Sequence, residues 1–161
     1  LEDEVEFIEK LRNMSSLNPS SNEIKEAWNA MILDMPRERI NVLLDLKKNY
    51  KIFLLSNTNS IHQKKFINEV NKKNNISFND LFQKAYYSHE IGMRKPHEEV
   101  FEFVLKDSHL RAEDTLFIDD SIQNINAAKN VGIQTFHIEE SISFNNIFNK
   151  SIYKNKLILK I

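Results

Sequence analysis

The 161 residues contain no cysteine. Disulfides and cysteine-ligated zinc are thereby excluded, and a reducing, cytoplasmic setting is the expectation. An excess of charge of one sign is missing too. Lys and Arg number 22 against 23 Asp and Glu, for a net charge of −1. That balance gives no electrostatic footprint for nucleic acid or for an anionic membrane surface. No apolar run reaches the roughly 18 residues that a membrane-spanning helix needs. Internal repeats and low-complexity linkers are absent as well. The length suits one domain with a real core.

The most informative stretch present is 115–121. Leu116, Phe117 and Ile118 follow Thr115 and look like a buried parallel strand, which ends in the adjacent carboxylates Asp119 and Asp120. Two acids at the end of a buried strand need partners, and a hard divalent cation is the usual one. In an open α/β sheet, ligands collect beyond the carboxyl ends of the strands. Read alone, the pair fits two descriptions: a cation site, or a solvated turn whose Asp caps the next helix.

Two further segments bear on that choice. Residues 51–58 form a second apolar strand ending in Ser56, Asn57 and Thr58, with a helical stretch from about 59. A Ser at such a junction can offer its hydroxyl and neighbouring N–H groups to a phosphate, although many strand-end serines only make a turn. Lys95 precedes Pro96, which favours an extended or turn conformation at the mouth of a helix. A lysine there either neutralises a phosphate or is simply solvated.

From residue 51 the pattern alternates strand and helix, which predicts a doubly wound parallel α/β sheet. Strands are expected near 51–56, 85–88, 115–118 and 133–137. Helices are expected near 59–73, 97–107 and 122–131, with Gly132 ending the last of them. A short turn is expected over 78–82. Ahead of this core, helices are expected over 2–13 and 22–33, the second opened by a capping box, Ser20 with Glu23. Pro36 opens a further helix over 36–49. In the tail, 143–148 reads as a helix and 157–161 has the composition of an edge strand. Trp28 and Met31 fit a core stripe better than a pocket lining. His62 lies one turn into the helix after Ser56, where a packing role outweighs a cleft-facing one. Asn124 is one turn beyond Asp120 and reads as a helix-surface residue ahead of a brace for a metal site.

In order and spacing, Ser56-Asn57-Thr58, Lys95-Pro96 and Phe117 to Ser121 resemble the second, third and fourth motifs of the haloacid dehalogenase superfamily. The likeness runs from about Glu2 to Ile138 and is nearest to the small bacterial phosphatases with an α-helical cap. It implies a Rossmann-like core over 36–161 and a small partial helical cap over 1–35. The implied function is a Mg²⁺-dependent phosphatase, acting on a small phosphorylated metabolite through an aspartyl-phosphate. By the same resemblance, Asp120 binds Mg²⁺ directly, and Asp119 acts through water or holds Lys95. Lys95 and Ser56 hold the phosphoryl oxygens, with the Asn57 N–H as a further donor. A monomer or weak dimer is expected. A hydrolytic dehalogenase is an alternative on the same fold, against which the paired acids count. A non-catalytic binding protein derived from such an enzyme is another.

The family's nucleophile lies in a strand ending in Asp-x-Asp, and no such motif occurs in this chain. The chain opens at Leu1, with Glu2, Asp3, Glu4 and Glu6 favouring a helix start. The expectation is therefore a core that lacks its first strand, which in the family lies between the strands matching 51–56 and 115–118. Such a gap would close by pairing 53–55 with 117–118, or by borrowing a strand from another chain. Failing that, these residues alone would be poorly stable, and in either case they are expected to be inactive.

Overall fold

The computed structural model of the protein describes residues 4–139 and 157–159. Its centre is a five-stranded, all-parallel sheet in the order β2-β1-β5-β3-β4. The strands are β1 (Ile52–Ser56), β2 (Lys84–Tyr87), β3 (Thr115–Asp119), β4 (Gln134–His137) and β5 (Leu157–Leu159). Ser56 lies level with Tyr87, and Asp119 with His137, so these strands finish together at one end of the sheet.

Helices cover both faces. β1 alternates between them: Phe53 and Leu55 pack with Val100, Phe101 and Val104 of α6 (Glu98–Asp107) and with Ile125 and Ala128 of α7 (Ile122–Asn130). Ile52 and Leu54 pack with Ile40 and Leu43 of α3 (Arg37–Leu46) and Val70 of α4 (Ser60–Asn74). A strand covered on both sides is apolar at every position, as β1 is over Ile52 to Leu55. α7 ends in a Schellman turn, with Ile133 N–H donating to Ala128 O and Gly132 N–H to Lys129 O. Gly132 has φ +83°, which costs glycine no Cβ clash.

The first two helices, α1 (Glu4–Met14) and α2 (Ser21–Asn29), form a hairpin on α4. Ile8, Ile24 and Ile61 are the buried residues of that contact. Ser20 and Glu23 make the expected capping box. α2 stops at Asn29 rather than at 33, and 31–35 is not helical. Pro36 disfavours helical backbone at Met35, and it caps α3 instead of opening it. A one-turn helix, α5 (Ser88–Ile91), directly follows β2, and a 3₁₀ turn over Ala112–Asp114 precedes β3. Neither has a periodic signal long enough to read in the sequence.

The main correction concerns 157–161. It was expected at a sheet edge, but β5 is the middle strand. Ile158 lies level with Ile52 of β1 and with Leu116 of β3. β1 and β3 therefore do not pair with each other, and no second chain is needed to join them. Two apolar strands with facing rows of unpaired N–H and C=O groups form a template for any extended segment. Here the chain's own tail fills it. The helix expected over 143–148 lies outside the described residues.

Candidate active site

The predicted residues lie at the carboxyl ends of β1 and β3, where Lys95 touches both Asn57 and Asp119, and Ser56 and Asp120 stand apart from that group. Ser56 ends β1 and Asp119 ends β3, with β5 between these strands. Two strand spacings separate them, on the order of 10 Å. Lys95, on the loop between α5 and α6, spans that interval. Its backbone is held by the Asn57 side chain, which donates to Lys95 O at 2.8 Å and accepts from Lys95 N–H at 3.0 Å. Its ammonium donates to Asp119 Oδ2 at 2.7 Å and lies 5.4 Å from the centre of the Phe117 ring. The Lys95–Pro96 peptide is cis.

Lys95 and Asp119 are only 5 % and 3 % exposed, so this is a buried ion pair. The remaining oxygen of Asp119 accepts from Ser121 N–H at 2.8 Å and from Asn124 Nδ2 at 3.0 Å. Burial pushes the Asp119 carboxyl upward. The Lys95 charge, the Lys95 hydrogen bond and the Ser121 and Asn124 donors outweigh it and hold the carboxyl below its ordinary value. Asn124 is therefore a brace for Asp119 and more than a helix-surface residue. Asp120 is exposed, and its carbonyl lies 3.0 Å from His137 Nε2.

Ser88 was not singled out from the sequence. Its hydroxyl accepts from Thr58 N–H and donates to Thr58 O, both at 3.0 Å. Ser88 thus fixes the loop after β1 from one side while Asn57 fixes it to Lys95 from the other. A serine directly after the Tyr86–Tyr87 strand end was the available signal. Asn57 was expected to contribute its N–H; its side-chain clamp on Lys95 is a pairing between loops 38 residues apart, with no local signature.

His62 takes the packing role. It is buried, its Nε2 lies 3.0 Å from Trp28 O, and its Nδ1 lies 3.2 Å from Asn59 Nδ2. Asn59 Oδ1 also accepts His62 N–H, which caps α4. That orients the amide so that Nδ2 donates to Nδ1, leaving Nε2–H to donate to Trp28 O. The Trp28 indole stacks on the imidazole at 5.4 Å. Trp28 is thus part of the α1–α2 packing, as expected. Met31, in contrast, lines a cavity of about 350 Å³ between the 31–35 segment, α4 and the end of β1.

Among the described residues, no three His, Cys, Asp or Glu side chains cluster as a metal site. The donor set that is present fits Mg²⁺ in its usual protein mode. One or two carboxylates hold the ion, and water and substrate phosphate complete the shell. Asp120 is the exposed carboxylate, while Asp119 already accepts three hydrogen bonds.

The sequence profile of the haloacid dehalogenase-like hydrolase family matches residues 4–138, and the chain belongs to that family. It is 33% identical over 134 residues to the D-ribitol-5-phosphate phosphatase of Bacteroides thetaiotaomicron, covering 83% of this chain and 65% of that protein's length. A crystal structure of a family enzyme from the same organism, in complex with magnesium and inorganic phosphate, superposes with a TM-score of 0.88 at 34% identity. That match covers 92% of this chain and 74% of the other. A sesquiterpene phosphatase of Aspergillus oryzae is 41% identical over 64 residues, which is 40% of this chain and 33% of that protein.

Proposed function

We propose that these residues carry the phosphate-holding and metal-holding part of a phosphomonoester hydrolase. The observation that supports this most is the buried Lys95–Asp119 pair at the same end of the sheet as Ser56. Ser56 donates its hydroxyl to one phosphoryl oxygen of the substrate. Lys95 supplies positive charge to a second, while Asp119 and the Asn57 clamp keep the ammonium in place. Asp120, with Asp119 nearby, would hold Mg²⁺, which would supply neutralising charge to the phosphoryl group. Phosphoryl transfer depends chiefly on such positioning and charge neutralisation. Asp119 already accepts from Lys95, Ser121 and Asn124, which leaves one of a carboxylate's roughly four acceptor positions, so its main task is to orient Lys95.

The family's aspartyl nucleophile comes from an Asp-x-Asp that these 161 residues do not contain. The chain by itself is therefore proposed to bind phosphate without turning over an ester. The substrates named for the relatives run from a pentitol phosphate to a sesquiterpene phosphate, so they leave the organic group open.

Calorimetric titration with inorganic phosphate, with and without Mg²⁺, tests this reading. Binding that strengthens with Mg²⁺ and weakens in Ser56→Ala is expected, together with no phosphate release from a panel of monoesters. Absence of phosphate binding would remove the phosphate-site assignment. Mg²⁺-dependent turnover by this chain would remove the nucleophile assignment.

A further inference from the structure

The cavity beside Ser56 is amphipathic along its length. Met31, Leu33, Met35, Phe66, Val70 and Phe78 supply its apolar walls, and Ser56, Asn57 and Thr58 close one end. Its charged lining residues are already engaged. Asp34 pairs with Lys73, Glu69 pairs with Lys65 at 2.8 Å, and Arg39 has a partner of its own. Both ring nitrogens of His62 are committed to Trp28 and Asn59, and the Asn57 amide is committed to Lys95. The walls beyond the loop end therefore have few uncommitted polar groups. A hydroxylated chain lying on these apolar walls would exchange some water hydrogen bonds for few protein partners. An alkyl or ring portion would not, and the volume suits a small ligand.

We propose that this cavity takes the apolar organic part of a monophosphate ester whose phosphoryl group sits at Ser56. The inference rests on the phosphate-holding role proposed above. It adds that the preferred esters are hydrocarbon-like next to the phosphate, and that polyol phosphates are disfavoured. Met31 and Met35 then touch the ligand, and Leu33 forms the outer rim.

The chain has four methionines, so ¹³C-methyl labelling reads the cavity directly. Met31 and Met35 line it, and Met14 is an exposed reference on α1. Titration with n-hexyl phosphate should move the Met31 and Met35 signals and leave Met14 in place. Hexyl phosphate should bind at least about tenfold more tightly than inorganic phosphate, because its methylenes leave water. Sorbitol 6-phosphate should bind no better than inorganic phosphate. Val70→Phe, which fills the cavity, should abolish the hexyl advantage and keep phosphate binding. Leu33→Asp, at a position 87% exposed, provides the same contrast without a core change. Unmoved Met31 and Met35 signals with phosphate still bound would overturn the cavity inference alone, as would equal affinity for the hexyl and sorbitol esters. Failure of the underlying phosphate reading has a different signature: n-hexanol moves Met31 and Met35, while neither inorganic phosphate nor the phosphoryl group of the ester adds affinity.

Discussion

The Lys95 ammonium and the Asp119 carboxylate meet at 2.7 Å in a place where each is almost fully shielded from water. A pair of this kind is weak evidence for stability in itself, because both ions give up hydration. Its force lies in what happens when one member is removed. Lys95→Met leaves a buried carboxylate with two neutral donors, and the expected destabilisation is about 3–5 kcal/mol. Changing both residues, to Lys95→Met with Asp119→Leu, should cost clearly less than the sum of the single changes. Urea denaturation of the four proteins measures the coupling. Simple additivity would show that the pair is not coupled in solution.

The same pair sets an acid limit. Asp119 has a carboxyl held below its unfolded value, near 3.9 for a free Asp. Its contribution is complete above that unfolded value and is lost as pH falls through the folded one. Stability against urea should therefore decline below about pH 4. Asp119→Asn should flatten that part of the pH profile.

Asp120 should behave in the opposite way. It is exposed, and its side chain braces nothing among the described residues. Asp120→Ala should change unfolding stability by no more than about 0.5 kcal/mol. It should also remove the Mg²⁺ enhancement of phosphate binding. Retained enhancement would take Asp120 out of the metal site.

Two of the four tyrosines should ionise late. Burial, then the hydrogen bond to Asp107, pushes the Tyr86 phenol up to about 12. Burial, then the Glu90 charge, pushes Tyr87 up to about 12. An unfolded tyrosine ionises near 10. The stabilisation from these two is thus complete below pH 10 and is lost as pH rises toward 12. Absorbance titration near 295 nm should show a late step for Tyr86 and Tyr87, which Tyr86→Phe halves. A single step near pH 10 in folded protein would contradict the buried placement.

Removing residues 157–161 should be severe. β5 pairs with β1 over Ile52 and Phe53 and with β3 over Thr115, Leu116 and Phe117. Each buried backbone group left without a partner costs on the order of 1–3 kcal/mol, against a typical total stability of about 5–15 kcal/mol. A 1–156 chain should lose its cooperative thermal transition or associate through the opened edges. A sharp two-state melt from a monomer of that length would show that β5 is dispensable.

Most of the core could be read in advance because doubly covered strands leave a strong trace. Ile52 to Leu55 and Leu116 to Ile118 are unbroken apolar runs, each followed by a helix start. Ser20 and Glu23 announced α2 through a purely local pair of hydrogen bonds. The acids, Ser56 and Lys95 were legible because each stands at a strand or loop end. What escaped was non-local. A short apolar run such as 157–159 reads the same at an edge or in the middle, since strand order depends on distant partners. The Asn57 clamp on Lys95 and the Ser88 clamp on Thr58 join separate loops, and local pattern carries no record of either. α2 ends earlier than its pattern implies, because Met31 and Ile32 continue the helical spacing into a segment that Pro36 draws out.

The place of β5 also bears on the order in which the molecule can be assembled. Among the described strands, β1 and β2 are synthesised first, then β3 and β4, and the strand that joins the two pairs follows them. Until it arrives, the nascent chain holds two half-sheets with apolar inner margins and with Ser56 and Asp119 in separate halves. Domains often gather structure as they are synthesised, but here the final join must wait. Stalled nascent chains that end before residue 157 should therefore be cut readily by protease between the halves, and chains in which 157–159 has cleared the tunnel should resist.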